Sequence, residues 1–145
     1  EKDDLIDIFS LRKIIEPEIA QLASENATPE EINELEDILE EQETERANAE
    51  NSVRMDTHFH HLLARMAKNR VLERLLFALV DLLGKTRERY LQTEERKQKS
   101  VQGHRNILTA IQKGNGTAAR QAMRRHLEDV EAILFQKKKG GKKLS

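Results

Sequence analysis

The chain has no cysteine and no tryptophan, only two prolines, and few aromatic side chains in its 145 residues: Phe9, Phe59, Phe77, Phe135 and Tyr90. Without cysteine, disulfide frameworks and thiolate metal sites are excluded, and a reducing compartment is compatible. No excess of either charge is present, with 25 basic against 26 acidic residues. Nothing therefore suggests a surface built to neutralise nucleic-acid phosphates. Long apolar runs are missing as well. The longest, Leu75 to Val80, is far short of the roughly 20 residues that span a bilayer, and Glu1-Lys2-Asp3-Asp4 has no signal-peptide character. The expected location is the cytoplasm. What is abundant is charge, at 35% of residues against 37% hydrophobic, where about 25% charged is usual. The apolar material must be spent on narrow stripes, and long helices with solvated backs fit that balance better than sheets.

Periodicity supports an all-α chain of six helical segments, because no stretch alternates with period two. The first, about Asp3 to Glu25, carries Leu5, Ile8, Leu11, Ile15, Ile19 and Leu22 at spacings of three and four, with Pro17 inside it as an expected kink. Thr28-Pro29-Glu30-Glu31 reads as a capping box that starts the second helix at Pro29. That helix continues through Ile32, Leu35, Ile38 and Leu39, then turns polar from Glu40 to Asn51. The third spans about Ser52 to Lys68, and the fourth Val71 to about Gln92, apolar nearly all round. Such a helix needs neighbours on every side, so it is either central or shared with a second subunit. The fifth ends at Gly114, a left-handed cap, and the sixth runs from about Asn115 to Gln136. Residues 1–136 form one domain, and 137–145, rich in lysine and glycine, read as a basic, disordered tail.

Polar residues interrupt three of the inward stripes. Asp56, Phe59, His60, Leu63 and Ala67 share one face of the third segment; His104, Ile107, Leu108 and Ile111 share one on the fifth; Ala119, Ala122, Met123, His126, Val130 and Ile133 align on the sixth. His58 and His61 fall off that line and are expected at the flank. One inward histidine is ordinarily a core imidazole bonded to a carbonyl. Three histidines and a carboxylate that can converge in one bundle point instead to a shared divalent cation, which would satisfy groups otherwise costly to bury. Such ligands suit Zn²⁺, and equally Ni²⁺, Co²⁺, Mn²⁺ or Fe²⁺, and the absence of thiolates argues against copper(I) and iron–sulfur clusters. One carboxylate leaves the ion a net positive charge that attracts small carboxylates.

Three runs carry a family resemblance: Asp56-Thr57-His58-Phe59-His60, Gly103-His104-Arg105-Asn106-Ile107-Leu108-Thr109-Ala110-Ile111, and Ala119-Arg120-Gln121-Ala122-Met123-Arg124-Arg125-His126-Leu127. With Leu11-Arg12-Lys13-Ile14-Ile15-Glu16-Pro17, they resemble the C-terminal effector-binding (FCD) domain of the FadR subfamily of GntR-type bacterial transcription regulators. The resemblance covers about Asp3 to Leu134. It implies an antiparallel helical bundle with a central pocket, a homodimer, a metal held by Asp56, His60, His104 and His126, and a small organic acid as effector. By the same resemblance Arg12, and less directly Arg87, would contact the effector. Family members carry a winged helix-turn-helix that reads DNA, and no such segment stands before Asp3; DNA contact is expected only through such a domain.

The leading expectation is thus a sensing module and not an enzyme. A metal-dependent hydrolase on a helical bundle would need a general base near metal-bound water, and no further inward carboxylate or histidine is evident. A metal-free helical dimerisation domain is the other alternative.

Overall fold

In the computed structural model the backbone is described for residues 2–44, 49–90 and 93–144, and the side chains for residues 4–44, 51–83 and 93–135. The described residues form helices and no strands: α1 (Lys2–Asn26), α2 (Pro29–Thr44), α3 (Ala49–Met66), α4 (Arg70–Tyr90), α5 (Glu94–Gln112) and α6 (Gly116–Leu144). Local chemistry sets most of the boundaries. The capping box closes reciprocally, Glu31 N–H donating to Thr28 Oγ1 at 3.1 Å and Thr28 N–H to Glu31 Oε1 at 2.9 Å. Asn69 caps α4, its Oδ1 accepting from Val71 and Leu72 N–H, and Thr93 caps α5. Gly114 ends the α5 segment at φ +66°, where a side chain would be strained. Pro17 lies inside α1, which continues through it. The helix α6 extends past Gln136, at which the sequence reading ends it.

Packing follows the stripes, with two corrections. On α1, Leu11 is exposed, and the inward line is Leu5, Phe9, Arg12, Glu16, Ile19, Ala20 and Ala23. On α2, Gln42 is buried although it lies in the stretch read as polar. The larger apolar cluster joins Ile19, Leu35, Leu39, Leu62, Met66, Ile107 and Met123 from α1, α2, α3, α5 and α6. A smaller one gathers Leu5, Phe9, Leu83, Val130 and Leu134.

Of the two places allowed for α4, the central one is not taken. Leu76, Leu79, Val80 and Leu83 are buried, but Val71, Leu75 and Leu82 stand exposed at 66%, 45% and 68%. Spaced by four and seven, these three form one outward apolar stripe.

Candidate metal centre

Asp56 and His60 on α3, His104 on α5 and His126 on α6 come together at the junction of the two apolar clusters. Each offers one ligand atom, and these atoms all lie within 4.8 Å of one another. All four residues are buried, with exposures of 7%, 1%, 0% and 3%. The helical period explains the convergence: α3 places Asp56 and His60 one turn apart, while His104 and His126 each replace an apolar residue in the inward stripe of a facing helix.

A second layer of side chains orients the rings. His60 Nδ1 donates to Glu16 Oε1 at 2.5 Å, and His104 Nδ1 donates to Gln42 Oε1 at 2.7 Å. The Gln42 amide N–H in turn donates to Ser100 Oγ, and Ser100 O–H to Asp56 Oδ1, both at 3.3 Å. This chain fixes which way the Gln42 amide points, and hence the His104 tautomer. With Nδ1 as the donor on both rings, Nε2 is the nitrogen each ring turns to the centre. The two Nε2 atoms face each other at 3.2 Å, with Asp56 Oδ1 at 3.1 Å from His104 Nε2 and 3.7 Å from His60 Nε2.

Two imidazole nitrogens and a carboxylate oxygen meeting in the interior are stabilised by positive charge between them. Donors bound at about 2.1 Å to one ion lie about 3.0 Å apart at right angles and about 3.4 Å apart at the tetrahedral angle. The separations among the Asp56, His60 and His104 atoms fall at or near those values, so these three could hold a divalent cation as they stand. The four-residue set extends to 4.8 Å, beyond the roughly 4.2 Å that two such donors can span, and His126 would have to close in to join them.

Charge is distributed unevenly around this cluster. Burial alone would raise the Glu16 pKa, but the Arg12 guanidinium and the His60 imidazole beside it more than offset this and hold it well below the usual carboxylate range. Burial lowers the His126 pKa well below the ordinary imidazole value, and His104 and His60 lower it further. The shift favours the neutral form of His126, the form that ligates.

Arg12 is buried, paired with Glu16 and set over the Phe9 ring, Cζ 5.3 Å from the centroid. It borders a cavity of about 20 Å³ that Asp56, His60, His126, Ser100 and Arg96 also line. Arg96 Nη1 donates to Val130 O at 3.0 Å. The side chain of Arg87, on α4, lies outside the described residues. As the sequence indicated, His58 is exposed; His61 stacks on Phe77 at a centroid distance of 4.0 Å.

Sequence reasoning missed Glu16, Gln42, Ser100 and Arg96. The signal was present in the spacing. Arg96, Ser100 and His104 step by four along the α5 stripe, Gln42 follows Leu35, Ile38 and Leu39 on α2, and Glu16 follows Phe9 and Arg12 on α1.

The family whose model matches this chain is the FCD domain, over residues 7–129. The chain is 30% identical over 138 residues to the HTH-type transcriptional regulator LutR of Bacillus subtilis (strain 168), covering 92% of this chain and 63% of that protein. It is 33% identical over 136 residues to the Uxu operon regulator of Haemophilus influenzae, covering 90% of this chain and 51% of the relative. Among solved structures it is similar to Streptococcus agalactiae GntR, with a TM-score of 0.74 and 28% identity over 90% of this chain and 59% of that one. The chain thus spans 51% to 63% of the length of these two curated relatives.

Proposed function

The chain belongs to the FCD domain family, a regulatory ligand-binding module and not an enzyme, and from that premise we propose that it is the metal-dependent, organic-acid-sensing and dimerising part of a GntR-type transcription regulator of the bacterial cytoplasm. Asp56, His60, His104 and His126 hold a divalent ion, with Zn²⁺ the first choice for three imidazoles and one carboxylate, and Ni²⁺, Co²⁺, Mn²⁺ and Fe²⁺ the competitors. The observation that carries this reading is the meeting of two imidazole nitrogens and a carboxylate oxygen within 3.7 Å in the interior.

The ion supplies a positive centre for a small carboxylate, and Arg12 and Arg96 add two guanidiniums along the same cavity wall. At about 20 Å³ the cavity has room for little more than a water. An organic acid therefore enters only as the surrounding helices move apart, and its carboxylate competes with Glu16 for Arg12. That exchange gives the two states different contacts with the effector, as any ligand-driven shift requires. Arg87 is proposed as a further effector contact on the resemblance alone.

The outward stripe Val71, Leu75 and Leu82 on α4, with exposed Leu11 and Ile14 on the neighbouring α1, supports a homodimer. DNA is reached through a winged helix-turn-helix outside these residues. No helix among the described residues is long and apolar enough to cross a membrane.

The hydrolase alternative finds no added support. A further buried carboxylate exists, Glu16, but it is ion-paired to Arg12 and bonded to His60 Nδ1, which leaves it ill placed to activate water. The deciding measurement is elemental analysis of protein purified without chelator, followed by thermal shifts with citrate, lactate and pyruvate. Stoichiometric metal and a rise in Tm with at least one acid are expected. Metal-free protein, or loaded protein indifferent to every acid, overturns the reading.

A further inference from the structure

The three imidazoles of the cluster are held by their outer nitrogens in different ways. Those of His60 and His104 donate to Glu16 and Gln42. His126 Nδ1 is buried and has no hydrogen-bond partner. Against it lies Gly103 of α5. A Cβ at position 103 would stand 2.2 Å from His126 Nδ1, 2.8 Å from Cγ and 3.1 Å from Cβ.

The atoms in that contact belong to the root of the side chain, so no small adjustment of a flexible tip relieves it; the imidazole as a whole would have to leave. Gly103 is helical and sits in the middle of α5, where no turn calls for glycine and where glycine is a disfavoured choice. With its Nδ1–Cγ edge pressed to the bare Cα, the ring turns Nε2 away from α5's backbone. Its centroid then lies 4.8 Å from that of His104 and 5.6 Å from that of His60.

We propose that Gly103 is a positioning residue for the metal centre: the missing side chain at 103 lets the His126 imidazole hold its cluster-facing rotamer, doing by shape what Glu16 and Gln42 do for the other two rings by hydrogen bonds. The proposal rests on the metal reading above. It makes His126 the conditional arm of the site. Asp56, His60 and His104 are aimed by bonded partners, whereas the α6 ligand is aimed by the closeness of α5 and α6, so occupancy of the site is tied to that helix contact. A displaced ring has somewhere to go. Gly103 and His126 also line a surface groove of about 360 Å³ with Asn106, Gln121 and Arg125.

The test is a double-mutant cycle over Gly103→Ala and His126→Ala in the full chain. Zn²⁺ affinity is read by chelator competition and ligand geometry by the visible spectrum of the Co²⁺ form. Gly103→Ala is expected to weaken Zn²⁺ binding about 10- to 100-fold and to give the Co²⁺ spectrum of His126→Ala. In the His126→Ala background the same substitution should change neither, because the clashing ring is gone. Should Gly103→Ala alone fail to fold, the double variant is expected to fold and to bind as His126→Ala does.

Wild-type affinity and spectrum in Gly103→Ala overturn the proposal, as does an equal loss in both backgrounds or a double variant that also fails to fold. Each of these would leave metal binding by the wild type intact. A wild type that takes up neither Co²⁺ nor Zn²⁺ overturns the metal reading itself, and the proposal with it.

Discussion

The same three helices, α3, α5 and α6, build two unlike interiors. Toward one end they contribute Leu62, Leu63, Met66, Ile107, Ile111 and Met123 to a fully apolar core; farther along they contribute Asp56, His60, His104 and His126. Burying each large apolar side chain stabilises the fold by about 1.5–3 kcal/mol without further help. The polar region behaves oppositely. Its carboxylate and imidazoles lose hydration, and the hydrogen bonds from Ser100 and to Glu16 and Gln42 recover only part of it. One region is complete as folded, and the other, on the proposed reading, gains its full stability only when a cation is bound. A stripe position given to a ligand is a stripe position withheld from the core.

The sharpest way to separate the two regions is to remove the ion. With free metal a thousandfold above Kd, linkage contributes about 4 kcal/mol to stability. Chelation should therefore lower the Tm of the wild type markedly and leave His104→Ala or Asp56→Ala almost unchanged, as differential scanning fluorimetry with and without EDTA will show. Equal losses in the loaded and stripped states would break the contrast.

In the apolar region the expectation reverses. Leu35→Ala, at a fully buried position, should cost about 3 kcal/mol in urea melts, and by the same amount whether or not metal is present. A loss that depends on metal would mean the two interiors are not separable.

Acid offers a smaller and graded handle on the polar region alone. Because the folded pKa of His126 lies below its unfolded value, the unfolded chain binds the extra proton. Metal-free protein should hold its stability above about pH 6.5 and lose it as pH falls from there. Glu16, also depressed when folded, contributes stability present above its ordinary value of 4.5 and lost below it. A Tm profile of stripped protein should then fall in two stages, the first of them absent in His126→Gln. A flat profile between pH 7.5 and 5.5 would contradict the burial of His126.

The smallest effect on stability is expected at the surface. Leu82→Glu should change monomer stability by no more than about 0.5 kcal/mol yet abolish the dimer in analytical ultracentrifugation. An unaltered dimer would place the subunit contact elsewhere.

Much of this organisation is legible in the sequence, for identifiable reasons. A period of 3.6 residues ties spacing to facing direction, so the stripes on α3, α5 and α6 and the four inward polar residues could be read one helix at a time. The caps at Thr28 and Gly114 are likewise local chemistry. Reading fell short where a polar residue on an inward stripe was passed over. Glu16 and Gln42 sit on inward stripes, but only a partner on another helix makes them tolerable there, and those partners, His60 and His104, are 44 and 62 residues away.

The sequence by itself determined six helices, the inward faces of α3, α5 and α6, and the one carboxylate and three imidazoles that lie on them, because each of these depends on neighbours within a turn or two. Tertiary structure alone decided that α4 lies at the edge with its apolar stripe outward, that Glu16 on α1 meets His60 on α3, and that His126 fits against a bare Cα at Gly103. Those outcomes depend on how far apart helix axes lie, and that distance is set by all the side chains packed between them.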